Sequence, residues 1–101
     1  TLIGTGGQPV TIAPYAEPNL AVGGSGDVLS GCLGTLMAQT AAHPSEVCES
    51  SSFLAACMGV HLHARAGRLL REAFPQRGNS ATDIAERLPR ARIREAAGDG
   101  A

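Results

Sequence analysis

The sequence of 101 residues contains no lysine, since each of its eight basic residues is an arginine. A phosphate-binding loop of the Walker type needs a lysine directly after its glycines, so these residues do not form one. A lysine Schiff base within the chain is excluded for the same reason. The arginines form no dense run and the formal net charge is −1, so the charge pattern does not indicate a nucleic-acid partner.

Aromatic residues, charges and long apolar runs are also scarce. Aromatics make up 3% of the chain, too few for a base-stacking surface. Charged residues make up 17%, against about 25% in an average soluble domain. No apolar run reaches the length of a membrane span, and the first residues lack the charged lead and apolar core of a secretory signal. We therefore expect a cytoplasmic protein that binds neither membranes nor nucleic acid.

Cysteine is limited to Cys32, Cys48 and Cys57. The number is odd, and no pair has the short spacing of a zinc or redox motif. All three lie in apolar or helical contexts, so we expect small hydrophobic residues in a reducing compartment. No metal site is predicted from them.

The sequence predicts one β-hairpin followed by about three helices. The hairpin pairs residues 1–3 with residues 10–13 and is closed by the turn-rich residues 4–9. The first helix is predicted from about residue 24 to residue 39, with one apolar face at Leu29, Leu33, Leu36 and Met37. Its other sides carry mainly small or apolar residues, which predicts burial on all sides.

The second helix is predicted from Ser45, a favourable N-cap supported by Glu46 and Glu49, to about residue 72. Its apolar stripe is Val47, Leu54, Met58, Leu62 and Leu69. Gly59 and Gly67 weaken the helix intrinsically but would let a neighbouring helix come close. The third helix is predicted to begin at "SATD", residues 80–83, which resembles a capping box, with Asp83 as the cap partner. This helix carries Ile84, Leu88 and Ile93.

These elements are too few to form a closed hydrophobic core. Two strands are too few to cover a helix that is apolar all round. We infer an α/β protein in which these residues form part of a larger domain or complete their core with another chain.

The stretch "NLAVGGSGDVLSG", residues 19–31, places four glycines around Asp27. Glycines let successive backbone N–H groups face one point, and the first turn of a helix adds free N–H groups and partial positive charge. Such a site suits a phosphate. A carboxylate beside it repels phosphate but can take the proton of a hydroxyl that attacks phosphorus. The residues alone leave a second interpretation open, in which Asp27 only caps the helix.

The segment "GGSGDVLSG" resembles the anion-hole motif of the NAD(P)H-hydrate dehydratases, a branch of the ribokinase-like superfamily. "EPNLAVGGSGD" is similar to that family's Asn-Pro-Gly-Met-Ala-x-Gly-Gly-x-Gly-Asp, with Pro18 on the family proline. "GVHLHARAGRLL" and "RGNSATDIAERLP" resemble later segments of the family, in the same order. Neighbouring kinases of the superfamily tend to carry Gly-Ala-Gly-Asp or Gly-Thr-Gly-Cys at the anion hole.

The resemblance implies a repair enzyme that uses ADP or ATP, with Mg²⁺, to phosphorylate the ring hydroxyl of hydrated NADH or NADPH. Phosphate then leaves and the double bond returns. The resemblance assigns Asp27 as the general base and a hydrate contact. It assigns phosphoryl and nucleotide binding to Gly23, Gly24, Ser25 and Gly26.

Several positions depart from the family pattern. Asn19 replaces a glycine and is expected to keep its left-handed backbone, which asparagine tolerates well. Glu17 replaces an asparagine, and Arg65 and Arg68 depart within the second segment. His63 falls on a family histidine, and we expect it to be buried and hydrogen-bonded. His61 and His63, two apart on a helix, cannot chelate a metal together.

The resemblance implies the three-layer αβα fold of the ribokinase-like superfamily, with residues 1–101 forming the C-terminal part of a single dehydratase domain whose upstream part is absent. The full-length protein is expected to be a homo-oligomer, and to be fused to or act with an NAD(P)H-hydrate epimerase. Two alternatives stay open: another ribokinase-like kinase for a small molecule, and a truncated, inactive chain.

Overall fold

The computed structural model describes the backbone of residues 1–42 and 51–96 and the side chains of residues 1–42 and 52–92. In chain order the elements are β1 (Leu2–Ile3), β2 (Thr11–Ile12), a 3-10 helix (Pro18–Leu20), α1 (Ser25–Ala42), α2 (Ser51–Leu69) and α3 (Ala81–Ala96). The α/β class is confirmed. Within the described residues the sheet has two strands, so they do not display the full three-layer fold. None of the described helices combines the length and the apolar character needed to cross a membrane.

The predicted hairpin is present with shorter strands. Leu2 lies opposite Ile12 and Ile3 lies opposite Thr11 in an antiparallel pair. The connection passes through Gly7, whose φ of 78° lies in the left-handed region. Ile3 is buried, whereas Leu2, Thr11 and Ile12 are exposed, so Ile3 is the one buried residue of the two strands.

Helix α2 is the centre of the molecule, because α1, α3, β1 and the 3-10 helix all pack against it. The core has two parts. One is formed by Leu36, Ala55, Leu62 and Ala91, and the other by Ala66, Leu70 and Ile84. Leu88 of α3 packs against both parts and joins them.

The prediction that α1 is buried on all sides is wrong for this chain. Of its 18 residues only Ser25 and Leu36 are buried, and Met37 is 39% exposed. The reason is that α2, and α3 to a smaller extent, cover one side of α1, while β1 packs against α2. An apolar helix is therefore left with an open face.

Helix α2 differs from its prediction in two respects. It ends at Leu69 rather than near residue 72, because the chain tightens into a turn in which the Arg71 N–H donates to the Arg68 carbonyl. Leu54 and Met58 of the predicted stripe are exposed. Side chains buried on this helix include Ala55, Leu62 and Ala66. The predicted cap residues Ser45, Glu46 and Glu49 and the stripe residue Val47 lie outside the described residues, as does Cys48.

Helix α3 begins as the capping-box pattern predicts. The Ser80 N–H donates to Asp83 Oδ2 over 2.7 Å, and the Asp83 N–H donates back to Ser80 Oγ over 3.3 Å. The bond from the Ser80 N–H, and after it the bond that Ser80 Oγ donates to Asp83 Oδ2 over 3.0 Å, hold the pKa of Asp83 below its ordinary value. Ile84 is fully buried, whereas the side chain of Ile93 lies outside the described residues.

Candidate functional site

The glycine-rich stretch forms a tight turn that leads into α1. The Ser25 N–H donates to the Val22 carbonyl over 3.2 Å, and Gly24 has a φ of 92°. A positive φ at the third position of such a turn is the signature of type II and favours glycine. A Cβ on Gly24 would also lie 3.0 Å from the Cβ of Ala81. Glycine is therefore favoured at position 24 both by the backbone conformation and by the close packing on the first residue of α3.

The turn leads to exposed residues whose backbone N–H groups have no partner within α1. The Val28 N–H donates to the Gly24 carbonyl over 3.1 Å and makes the first hydrogen bond of α1. The N–H groups of Gly26 and Asp27 precede it, so they have no partner within the helix. Gly23, Gly24 and Gly26 are exposed, and a Cβ at Gly23 or Gly26 would meet no atom within 4 Å. These groups can accept an anion at the positive end of the helix dipole.

Asp27 lies in the first turn of α1 and is exposed. The alternative in which Asp27 is the N-cap is wrong, because α1 begins at Ser25, two residues earlier. An acidic side chain in a first turn still interacts favourably with the helix dipole. The carboxylate is open to solvent and lies on the same helical turn as the free N–H groups, so it can meet a ligand bound there.

Ser25 differs from its glycine neighbours because it is buried. Its Oγ lies 3.1 Å from His63 Nε2, and its carbonyl oxygen also lies 3.1 Å from the same nitrogen. His63 is buried on α2. Burial lowers the pKa of His63, and the hydrogen bond to the Ser25 carbonyl opposes this in part. The prediction that His63 is buried and hydrogen-bonded is confirmed.

Asn19 holds the chain that enters the turn. Its side chain is fully buried, and its Nδ2 donates to the carbonyls of Gly67 and Phe74 over 3.3 and 3.1 Å. Its own carbonyl accepts from Asn79 Nδ2 over 2.9 Å. The predicted left-handed backbone at Asn19 is wrong, because no non-glycine residue with a described backbone has a positive φ. Asn19 lies instead in the 3-10 helix, where its amide ties that helix to the end of α2.

Glu17 and Gly67 make a second connection between the 3-10 helix and α2. Glu17 Oε2 lies 2.8 Å from Arg71 Nε, with the Glu17 side chain 5% exposed and that of Arg71 50% exposed. A Cβ on Gly67 would lie 2.7 Å from Leu20 Cδ2, so glycine permits this close approach. The predicted close contact at Gly67 is confirmed, and the carboxylate at position 17 has an ion-pair partner in the turn that follows α2.

Several other polar side chains have structural partners. Tyr15 Oη lies 2.6 Å from His61 Nδ1, whereas His63 bonds to Ser25, so the two histidines have different partners. Ser30 Oγ donates to the Gly26 carbonyl one turn before it. Burial raises the pKa of the Cys32 thiol, which disfavours a reactive thiolate. The described residues contain no group of three His, Cys, Asp or Glu side chains that could hold a metal ion.

Sequence reasoning found the glycine turn and Asp27 but missed the residues that hold them. Asn79 and Arg71 are joined to the entry of the turn across 60 and 54 positions of sequence, respectively. No local spacing marks such contacts. The one available signal is the segment order of the resemblance, which places His63 and residues 78–83 in the same family pattern as the turn.

Comparison with known proteins agrees with the residue pattern. A family profile described as NAD(P)H-hydrate dehydratase matches residues 1–90. The bifunctional NAD(P)H-hydrate repair enzyme Nnr of Coxiella burnetii is 37% identical over 84 residues, which cover 83% of this chain and 15% of that protein. The Escherichia coli protein of the same name is 33% identical over 90 residues, which cover 89% of this chain and 16% of that protein. No solved structure matches the chain.

The relatives are much longer than this chain, which spans 15% and 16% of their lengths. The family profile, in contrast, matches most of the chain and includes the glycine turn, α2 and the start of α3. On these grounds the chain belongs to the NAD(P)H-hydrate dehydratase family.

Proposed function

We propose that this chain supplies the phosphoryl-binding turn and the general base of a nucleotide-dependent dehydratase acting on hydrated NADH and NADPH. The observation that carries the proposal is the position of Asp27. Its exposed carboxylate lies in the first turn of α1, beside backbone N–H groups that have no partner within the helix. The family of the chain supports the choice of substrate.

In the proposed site the backbone at Gly23, Gly24, Ser25 and Gly26 binds the phosphoryl group and the nucleotide. The open space beside Gly23 and Gly26 fits this role, because a side chain there would stand where the ligand approaches. The N–H groups and the dipole of α1 stabilise the negative charge that develops on the phosphoryl oxygens.

Asp27 contacts the hydrate and takes the proton of the ring hydroxyl as the hydroxyl oxygen attacks the terminal phosphorus of ADP or ATP. The bond from phosphorus to the nucleotide breaks, and the shorter nucleotide leaves. The phosphate ester then breaks at its carbon–oxygen bond, and phosphate departs with the electron pair. Loss of a proton from the neighbouring ring carbon restores the double bond. Mg²⁺ would accompany the nucleotide and offset the charge of its phosphate oxygens.

The remaining parts of the proposal concern the whole protein. The word bifunctional in the names of both relatives supports a second repair activity, which we propose is the epimerase. The open face of α1 and the exposed Leu2 and Ile12 of the hairpin support packing against further parts of a dehydratase domain. We propose that the chain is the C-terminal portion of that domain and that the protein is a cytoplasmic homo-oligomer.

The test uses the full-length protein that contains these residues, with NADPH hydrate, Mg²⁺ and either ADP or ATP. Recovery of the absorbance of reduced nicotinamide, with release of phosphate, is expected with at least one of the two nucleotides. A stable phosphorylated product detected by mass spectrometry would instead identify a kinase. Absence of turnover with both nucleotides would contradict the proposal.

A further inference from the structure

The contact between His63 and Ser25 fixes which atoms carry hydrogen. His63 Nε2 lies 3.1 Å from the Ser25 carbonyl oxygen and 3.1 Å from Ser25 Oγ. A carbonyl oxygen can only accept, so Nε2 must carry the hydrogen if this contact is a hydrogen bond. The Nε2–H group therefore points at Ser25, and Ser25 Oγ acts as an acceptor towards it.

This assignment leaves the hydroxyl hydrogen of Ser25 for another acceptor. A serine hydroxyl has one hydrogen to donate and two lone pairs, and the imidazole uses a lone pair. Within the described part of the chain, Ser25 Oγ has no hydrogen-bond partner besides the His63 ring. The residues on both sides, Gly24 and Gly26, are exposed and belong to the anion-binding turn.

The burial of His63 keeps this arrangement in place near neutral pH. The histidine is 7% exposed, and burial lowers its pKa, so the ring is neutral with one N–H group. In this tautomer one atom of the imidazole, Nε2, donates to both the side-chain oxygen and the carbonyl oxygen of Ser25. The contact also joins the first residue of α1 to α2 across 38 positions of sequence.

We propose that His63 is a positioning residue of the phosphoryl site. Its Nε2–H group orients Ser25 so that the serine hydroxyl donates to an oxygen of the nucleotide's terminal phosphoryl group. The identity of this ligand rests on the proposed function above. The hydrogen-bond assignment itself does not.

The kinetic test uses the full-length protein and matched variants. His63→Gln keeps an N–H donor near the position of Nε2, whereas His63→Leu has a similar volume and no donor. A hydrogen bond to a charged group is worth a factor of about 10 to 100, so His63→Leu should lower kcat by that factor and His63→Gln by much less. In the double variant Ser25→Ala/His63→Leu, the histidine change should add little to the loss from Ser25→Ala. Equal kcat for the Gln and Leu variants, or additive losses, would overturn the proposal.

Two further measurements separate this proposal from the proposed function. Nitrogen-15 NMR of the histidine rings should show the Nε2–H tautomer for His63, identified by its loss in His63→Gln, and its shift should change in Ser25→Ala. ADP should bind more weakly to His63→Leu than to His63→Gln, whether or not the hydrate is turned over. If the Nε2–H tautomer and the difference in ADP affinity are both observed but NADPH hydrate is not turned over, the proposed function is contradicted and the positioning role of His63 is not. An Nδ1–H tautomer, or no difference in ADP affinity between the variants, would overturn the positioning role.

Discussion

At the scale of single residues, the burial of His63 should make stability depend on pH. Burial lowers the folded-state pKa of His63 below its ordinary value of 6.5. When the pH falls through about 6.5, the unfolded chain takes up a proton that the folded chain accepts only at lower pH. The contribution of His63 to the free energy of unfolding is therefore complete above that pH and is lost below it, until the folded-state pKa is reached.

The measurement compares the melting temperature of the full-length parent protein and of His63→Gln at about pH 7.5 and about pH 5.5, on either side of the unfolded-state pKa. The parent should lose more stability on acidification than the variant, which has no titrating group at this position. The other histidines and the carboxylates titrate in both proteins, so the difference isolates His63. An equal loss in both would show that His63 does not titrate differently in the folded state.

At the scale of the elements, the close packing of the 3-10 helix on α2 depends on Gly67. A glycine inside a helix is normally about 1 kcal/mol less favourable than alanine. At Gly67 a Cβ would lie 2.7 Å from Leu20 Cδ2 and 2.8 Å from Glu17 Cγ. Overpacking of this kind costs about 1–3 kcal/mol, so Gly67→Ala should lower the melting temperature.

Gly34→Ala in α1 is the matched control. A Cβ at Gly34 would meet nothing within 4 Å, so the gain in helix propensity of about 1 kcal/mol should appear without a clash. The two changes are chemically identical and should shift the melting temperature of the full-length protein in opposite directions. A rise of similar size in both variants would show that the 3-10 helix does not pack closely on α2.

The elements also show how far the sequence predicts this structure. The hairpin, the start of α1 and the capping box at Ser80 follow from local spacing and turn chemistry, and they were predicted. The role of Asn19 was not, because its amide bonds to Gly67 and Phe74, 48 and 55 positions away. The burial of α1 was overestimated, because a pattern of apolar residues predicts what a helix can bury and not what the other described elements cover. The composition of the glycine turn is enough to predict it. The hydrogen bond between Ser25 and His63 becomes visible only once the packing of α1 on α2 is known.

At the scale of the whole molecule, apolar surface remains exposed. Met37, Leu54 and Met58 on the helices and Leu2, Val10 and Ile12 on the hairpin are 38–71% exposed. Patches of this kind mark surfaces that contact other protein. We therefore expect the isolated 101-residue chain to self-associate and to lack dehydratase activity.

Sedimentation over a wide range of concentrations tests this expectation, with the Met37→Glu/Met58→Glu double variant as the control. The parent chain should sediment as concentration-dependent larger species, and the charged variant should associate less. A monodisperse parent monomer with a sharp unfolding transition independent of concentration would contradict the expectation. Turnover of NADPH hydrate by the isolated chain at about 1 per second, an ordinary enzymatic rate, would contradict the expectation that the isolated chain is inactive.

The central claim is that Asp27 is the general base beside the phosphoryl-binding turn. The measurement is kcat for NADPH hydrate in the full-length Asp27→Asn protein, with Ser30→Ala in the same helix as the control. Asparagine keeps the size of the side chain but cannot take the proton, so kcat should fall by about 10²–10⁴-fold. The affinity for ADP and the melting temperature should stay close to those of the parent, because Asp27 is exposed and does not cap α1. Ser30→Ala, whose hydroxyl bonds only to the Gly26 carbonyl among the described residues, should keep the parent kcat. A kcat for Asp27→Asn within about threefold of the parent, far short of the range for general-base catalysis, would contradict the claim.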